Sequence, residues 1–123
     1  LKLGEDAHTL DVSSQPLRFD GALPARCTLR DGPTRDLNLM TSAASQGRML
    51  AVHGGIAWEC ALPQRGIFTR VAGTWSGGTG APIDLAPDTL LWCEGAALQR
   101  FVFHPHQADA RFPGWWLGFS PDP

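Results

Sequence analysis

The residues in this chain best suited to chemistry on a small molecule are Asp36 and Asn38, with Arg26 and Arg30 just before them. A carboxylate and an amide two positions apart on a strand point to the same side of it. Asp36–Met40 reads as such a strand, with Leu37 and Leu39 on one face and Asp36, Asn38 and Met40 on the other. Arg26–Arg30 reads as its partner. There Cys27 and Leu29 share one face, and Arg26, Thr28 and Arg30 share the other. Between them, Asp31-Gly32-Pro33-Thr34 is a strong turn signal, because Gly32 can take a positive φ and Pro33 fixes the φ that follows. A hairpin here sets Arg26 or Arg30 across from Asp36, while Arg35 points away. The acid and amide can then face water, join a buried hydrogen-bond network, or line a pocket. In the pocket an arginine holds Asp36 and Asn38 offers its amide to a ligand. The predicted ligand contacts are Asp36, Asn38, Arg26 and Arg30.

His104-Pro105-His106 is the second motif with chemical content. Alternate strand positions present two imidazoles to one side, as β-barrel enzymes do when they hold iron, manganese or zinc. Asp109 follows within reach. A cupin metal site also needs a Glu shortly after the pair and a further His on a distant strand. Gln107 and Ala108 come next instead, and no His lies beyond His106. His8 and His53 lie upstream, in the wrong order for that motif, and Pro105 marks a strand end or loop. The pattern favours a solvated loop, so no metal or other cofactor is expected. A metal-dependent enzyme using His104, His106 and His53 is the alternative reading. His53, before Gly54-Gly55, reads as a polar residue at a hairpin end.

Other nucleophile and phosphate signatures are missing. No serine sits in a Gly-x-Ser-x-Gly elbow. The Gly73–Gly80 stretch lacks a Lys and a following helix, so it is not a phosphate-binding loop and reads as a flexible hairpin arm. Cys27, Cys60 and Cys93 leave at least one thiol unpaired, which argues for a reducing, cytoplasmic location. None forms a Cys-x-x-Cys pair. Cys60 and Cys93 sit in apolar alternation and read as buried and inert, and Cys27 reads as structural.

These residues need a scaffold, and the sequence offers short strands. The 123 residues, 43% hydrophobic, can build one modest core or a lobe of something larger. A net charge of −2 gives no electrostatic reason to bind nucleic acid or an anionic membrane. No apolar run approaches the ~20 residues that span a bilayer. Leu1-Lys-Leu-Gly-Glu-Asp carries neither an initiator Met nor a secretory stretch and reads as the middle of a strand, so a segment upstream of it is expected. Predicted strands are 9–12, 17–19, 26–30, 36–40, 48–53, 56–60, 68–72, 89–93, 99–104 and 115–119. Thr41–Gly47 is the best helix candidate and reads as a connection. Closely spaced strands with Gly, Pro and Asp turns imply an antiparallel sandwich or barrel. Leu90 and Trp92 alternate with Leu91 and Cys93, which predicts a strand buried on both faces. The five tryptophans read as core filling, with one of Trp115 and Trp116 partly exposed or against another lobe.

The run from Cys27 to Met40 also resembles the HutD/Ves family, the histidine-utilisation D proteins. Members show Cys-x-Leu-x-Asp-Gly-Pro-x-x-Asp-hydrophobic-Asn-hydrophobic-Met, matched here by Cys27, Leu29, Asp31, Gly32, Pro33, Asp36, Asn38 and Met40. Pro16, Phe19 and Gly21 fit a segment just upstream, whereas the family's N-terminal Trp-Lys-Asn-Gly-Gly-Gly-type signature is absent. The resemblance implies an all-β, cupin-like antiparallel barrel or jelly roll within a bicupin, of which this chain is read as the C-terminal part. Residues 1–42 would supply the last strands of a first lobe and 43–123 a second lobe. It further implies non-catalytic binding of a small anionic metabolite of histidine degradation, N-formylglutamate foremost. Homodimer formation through edge strands is open.

Overall fold

The computed structural model of the chain describes residues 1–121, and no helix occurs among them. The strands are β1 (Lys2–Leu3), β2 (Asp6–Ala7), β3 (Ala25–Arg26), β4 (Gln46–Ala51), β5 (Trp58–Cys60), β6 (Gln64–Thr69), β7 (Gly73–Gly77), β8 (Ile83–Leu85), β9 (Leu90–Glu94), β10 (Gln99–Pro105) and β11 (Gly114–Ser120). They fall into two compact units, Leu1–Asn38 and a second beginning at Leu39.

In the first unit, β1 is the centre of an antiparallel sheet of order β2-β1-β3. Lys2 lies opposite both Ala7 and Arg26. Gly4, at φ 57°, supplies the tight reversal into β2. Leu3 is buried, but Leu10, Val12, Phe19, Leu23 and Leu29 are exposed. The strands expected at 9–12, 17–19 and 36–40 do not form, and the one expected at 26–30 keeps only its first residue. Gly32 does take a positive φ of 88°, so the turn chemistry around it is as expected. The hairpin is still not made: Arg26 pairs with Lys2 of β1, and residues 27–40 join no strand. Alternation specifies a strand only where one face has something to bury against, and this segment is mostly exposed.

The second unit is two antiparallel four-stranded sheets, β5-β10-β7-β8 and β4-β11-β6-β9. Their inner faces share one core of Val52, Cys60, Ile67, Leu85, Phe101, Phe103 and Trp116. Trp58 stacks on Trp116 at 5.3 Å and Trp75 on Phe101 at 5.6 Å. Burying each large apolar side chain stabilises the fold by ~1.5–3 kcal/mol. The fold is thus all-β and compatible with a cupin-like sandwich or jelly roll.

Two expectations for this unit are corrected. The glycine-rich stretch is no flexible arm: Gly73–Gly77 is β7, an inner strand between β10 and β8. A Cβ on Gly73 would lie 2.4 Å from Cζ of Phe103, and one on Gly77 would lie 2.3 Å from Cδ1 of Phe101. Those glycines make room for two core rings. Likewise β9 is not covered on both faces, with Leu90 56% and Trp92 36% exposed. It is the edge strand of its sheet, and only its Leu91 and Cys93 side packs on the core.

Candidate functional site

Asp36 and Asn38, with Arg26 and Arg30, are exposed. Arg26 is the last residue of β3, and the other three lie outside any strand. The expected strand pairing that would set an arginine opposite Asp36 is absent. His104 is near the end of β10, where a side chain on Gly55 would meet its ring at 3.7 Å. His106 follows the strand and faces Asp84 and Thr74, with Nε2 3.8 Å from Asp84 Oδ1 and 3.5 Å from Thr74 Oγ1. His53 is exposed. Among the described residues, no three His, Cys, Asp or Glu side chains converge as a metal ion would require.

Two arginines absent from the sequence reading hold the strongest positions, and both depend on β6. Along this strand Arg65, Ile67 and Thr69 are all fully buried, so they form its inward row. Arg65 therefore carries its charge into the sandwich. Nη1 donates to the carbonyls of Leu62 and Gly95 at 2.8 and 3.2 Å, and Nη2 donates to Oε1 of Gln99 at 2.5 Å. Its guanidinium also lies 5.7 Å from the centre of the Phe101 ring. Only Nε lacks a partner. Trp58, Trp75, Phe101 and Trp116 surround it, and the space among them is too tight for a water molecule. Arg65 is a cross-tie between the sheet that carries β6 and β9 and the start of β10 in the other sheet.

Past the other end of β6, Arg70 reaches the wall of an open groove of about 370 Å³. Val71, Ala72 and Pro87 give this groove apolar surface, and Arg70, His106 and Gln107 give it polar groups. Hydrogen bonds tie the frame around it. Thr69 Oγ1 donates to the Ala86 carbonyl at 2.7 Å and accepts from the Thr89 amide at 3.0 Å. The Asp88 amide donates to the Thr69 carbonyl at 2.8 Å. Together these bonds pin the 86–89 turn that carries Pro87. Arg70 donates its amide to the Pro113 carbonyl and Nη1 to the Phe112 carbonyl at 3.2 Å. Its guanidinium lies over the Trp115 ring at 5.9 Å. Across the groove, the His106 amide donates to the Ala72 carbonyl at 3.0 Å, carrying the β10–β7 ladder one residue past the strand.

Two features set this groove apart. Asp88 and Phe112, at φ 56° and 51°, are the positive-φ residues other than glycine among those described, and both lie in the segments framing it. Left-handed backbone at such residues costs about 1–3 kcal/mol and gathers at functional sites. Arg70, in addition, has no carboxylate partner among the described residues. A half-buried guanidinium held by a carbonyl and an indole face keeps donors free for a carboxylate. The volume falls in the range of small-molecule sites. The sequence predicts a strand over 68–72, which puts Arg70 in mid-strand, whereas β6 ends at Thr69. The signal was the inward row Arg65, Ile67, Thr69, which fixes the end of the strand and puts Arg70 at its exit.

A protein-family model described as HutD matches residues 1–110. The match takes in both units, well past the motif-bearing first third, and it does not bear out the reading of this chain as the family's C-terminal part. No curated protein and no solved structure matches the chain.

Proposed function

Because the chain belongs to the HutD family, we propose that it acts in histidine utilisation as a non-catalytic binding protein for a small anionic metabolite. The observation that carries this reading is Arg70, a guanidinium with no carboxylate partner among the described residues, held at the wall of a groove of about 370 Å³. A carboxylate on Arg70 would gain charge-assisted hydrogen bonds without the guanidinium having to reorganise. Val71, Ala72 and Pro87 would cover the aliphatic part of the ligand, and Gln107 would offer an amide. N-formylglutamate has this chemistry and heads the candidates. Occupancy by such a metabolite would let the protein sense and govern the pathway's output. A two-lobed organisation and a cytoplasmic location belong to the same proposal, as does a ligand-contact role for Asp36 and Asn38 with Arg26 and Arg30.

Calorimetric titration with N-formylglutamate, urocanate and glutamate tests the reading. Saturable heat with at least one of them is the expected result. Silence with all three, in protein shown to be folded, would defeat it.

A further inference from the structure

An edge strand presents a row of unpaired N–H and C=O groups to any other strand that fits it. Among the described residues, the edges of the two four-stranded sheets are β4, β5, β8 and β9. The first three carry a charge in mid-strand: Arg48 in β4, Glu59 in β5 and Asp84 in β8. Such charges guard against edge-to-edge pairing. β9, Leu-Leu-Trp-Cys-Glu, has no charge before its last residue and no proline or glycine inside it. The direction of its backbone groups follows from its ladder with β6. The Thr69 amide donates to the Thr89 carbonyl, and the Gly95 amide to the Pro63 carbonyl. Hydrogen-bonded pairs alternate along an antiparallel ladder, so Leu91 and Cys93 bond to Ile67 and Arg65. Leu90, Trp92 and Glu94 therefore turn their N–H and C=O groups away from β6, towards the open edge.

The side chains of the same three residues lie on the outer face, since Leu91 and Cys93 take the core side. The Trp92 indole lies over Gly66, where a Cβ would come 2.6 Å from its Cε3. Beside Leu90 on this face stand Phe68 and then Trp115, both half-buried, so the surface next to the edge is apolar. We infer that two copies of the chain join through β9, about a two-fold axis at Trp92, into one continuous sheet. A two-fold makes the strand pair antiparallel and the interface self-complementary. With Trp92 opposite the partner's Trp92, Leu90 meets the partner's Glu94 and Glu94 meets the partner's Leu90. This is the register in which the outward-turned residues all pair among themselves, each pair exchanging both N–H···O bonds, and no two carboxylates stand opposite. A one-residue slip would oppose them to residues whose groups already serve β6. A strand pair this short is small beside the ~1,000 Å² that a specific interface clears. A second copy also brings its own Leu90, Phe68 and Trp115 row to the seam, which an isolated foreign strand does not. The inference is independent of what the Arg70 groove binds.

Sedimentation equilibrium of the whole chain tests it. The expected mass rises with concentration from 13.3 kDa towards twice that value and no further. Amide exchange at Leu90, Trp92 and Glu94 should slow over the same range. Charge tests the register. Leu90→Glu sets carboxylates opposite one another and should weaken the dimer about tenfold or more. Adding Glu94→Lys to Leu90→Glu should restore it, because each new lysine then faces a new glutamate. Leu90 and Glu94 are exposed, so both variants should keep their fold, which circular dichroism checks. A mass of 13.3 kDa at every concentration up to about 1 mM would overturn the proposal. So would a dimer indifferent to both substitutions, or growth beyond a dimer into open chains. A dimer that Leu90→Glu weakens and Glu94→Lys does not restore would overturn the register centred on Trp92.

Discussion

Arg65 and Arg70 stand five residues apart on the same stretch of chain, and they differ in almost everything except side-chain type. Arg65 points into the sandwich, is fully buried, and spends its terminal nitrogens on Leu62, Gly95 and Gln99. Arg70 follows the last residue of the strand, is half-buried, and gives one terminal nitrogen to Phe112 while facing Trp115. Neither meets a carboxylate among the described residues. For Arg65 the lack of a counterion is tolerated because carbonyls, an amide oxygen and an aromatic face surround the charge. For Arg70 the same lack leaves donors free beside open volume. The comparison teaches that a buried cation is evidence for a ligand only when space adjoins it. Where the walls close on it, the charge holds the fold.

The comparison breaks most sharply at Arg65. Arg65→Ala should destabilise the protein by about 3–5 kcal/mol, since it leaves three half-buried acceptors without this donor and opens a void among the tryptophans. Denaturant unfolding followed by tryptophan fluorescence measures it, and a loss under ~1 kcal/mol would deny Arg65 its cross-tying role. Next in size is Thr69→Val, which keeps the shape but removes the bonds to Ala86 and Thr89. A cost of about 1–3 kcal/mol is expected, together with weaker ligand binding as the Pro87 rim loosens. Unfolding midpoints and titration on the same sample separate the two effects.

Arg70→Gln should do the reverse of Arg65→Ala. Ligand affinity is expected to fall about tenfold to a hundredfold, while stability changes by less than ~1 kcal/mol. Arg70→Lys should recover only part of the affinity, because a lysine keeps the charge and loses the planar fork. If Gln binds as well as Arg, the groove is not where the anion sits. The smallest effect belongs to the first unit. There Asp11 is held below the ordinary carboxylate range by the Ser13 hydroxyl and amide, with Ser14 adding to them. A lowered carboxyl stabilises its turn above the usual aspartate range and loses that contribution as pH falls through its folded-state value. Asp11→Asn should therefore flatten the acid limb of that local turn alone, as proton NMR of Ser13 and Ser14 would report.

Much of the second unit was legible. The strands at 99–104 and 115–119 match β10 and β11 within a residue or so, because each has apolar alternation between clear breakers. Of Thr41–Gly47, read as a connection, residues 41–45 connect the elements, while Gln46 and Gly47 already belong to β4. The glycines of β7 were misread, since a glycine that makes room for Phe101 and one that frees the backbone look the same in one dimension. Cys60 is buried and Cys93 half-buried, near what alternation implied, while Cys27 is exposed. The candidate site was scarcely legible. The attention drawn by Asp36 and Asn38 came from local spacing, whereas Arg70, Pro87 and His106 lie far apart in the chain and meet only through sheet pairing.

By itself, the sequence determined the class of structure and the kinship: period-two alternation between turn residues points to antiparallel strands and away from helices, and the run from Cys27 to Met40 carries the family's pattern. Tertiary structure alone decided which face of each strand is covered, which arginine is sealed and which is offered, and where His106 points. Those outcomes depend on register and on which strand becomes an edge. Both are set by contacts between residues distant in the chain, and local residue order does not encode them.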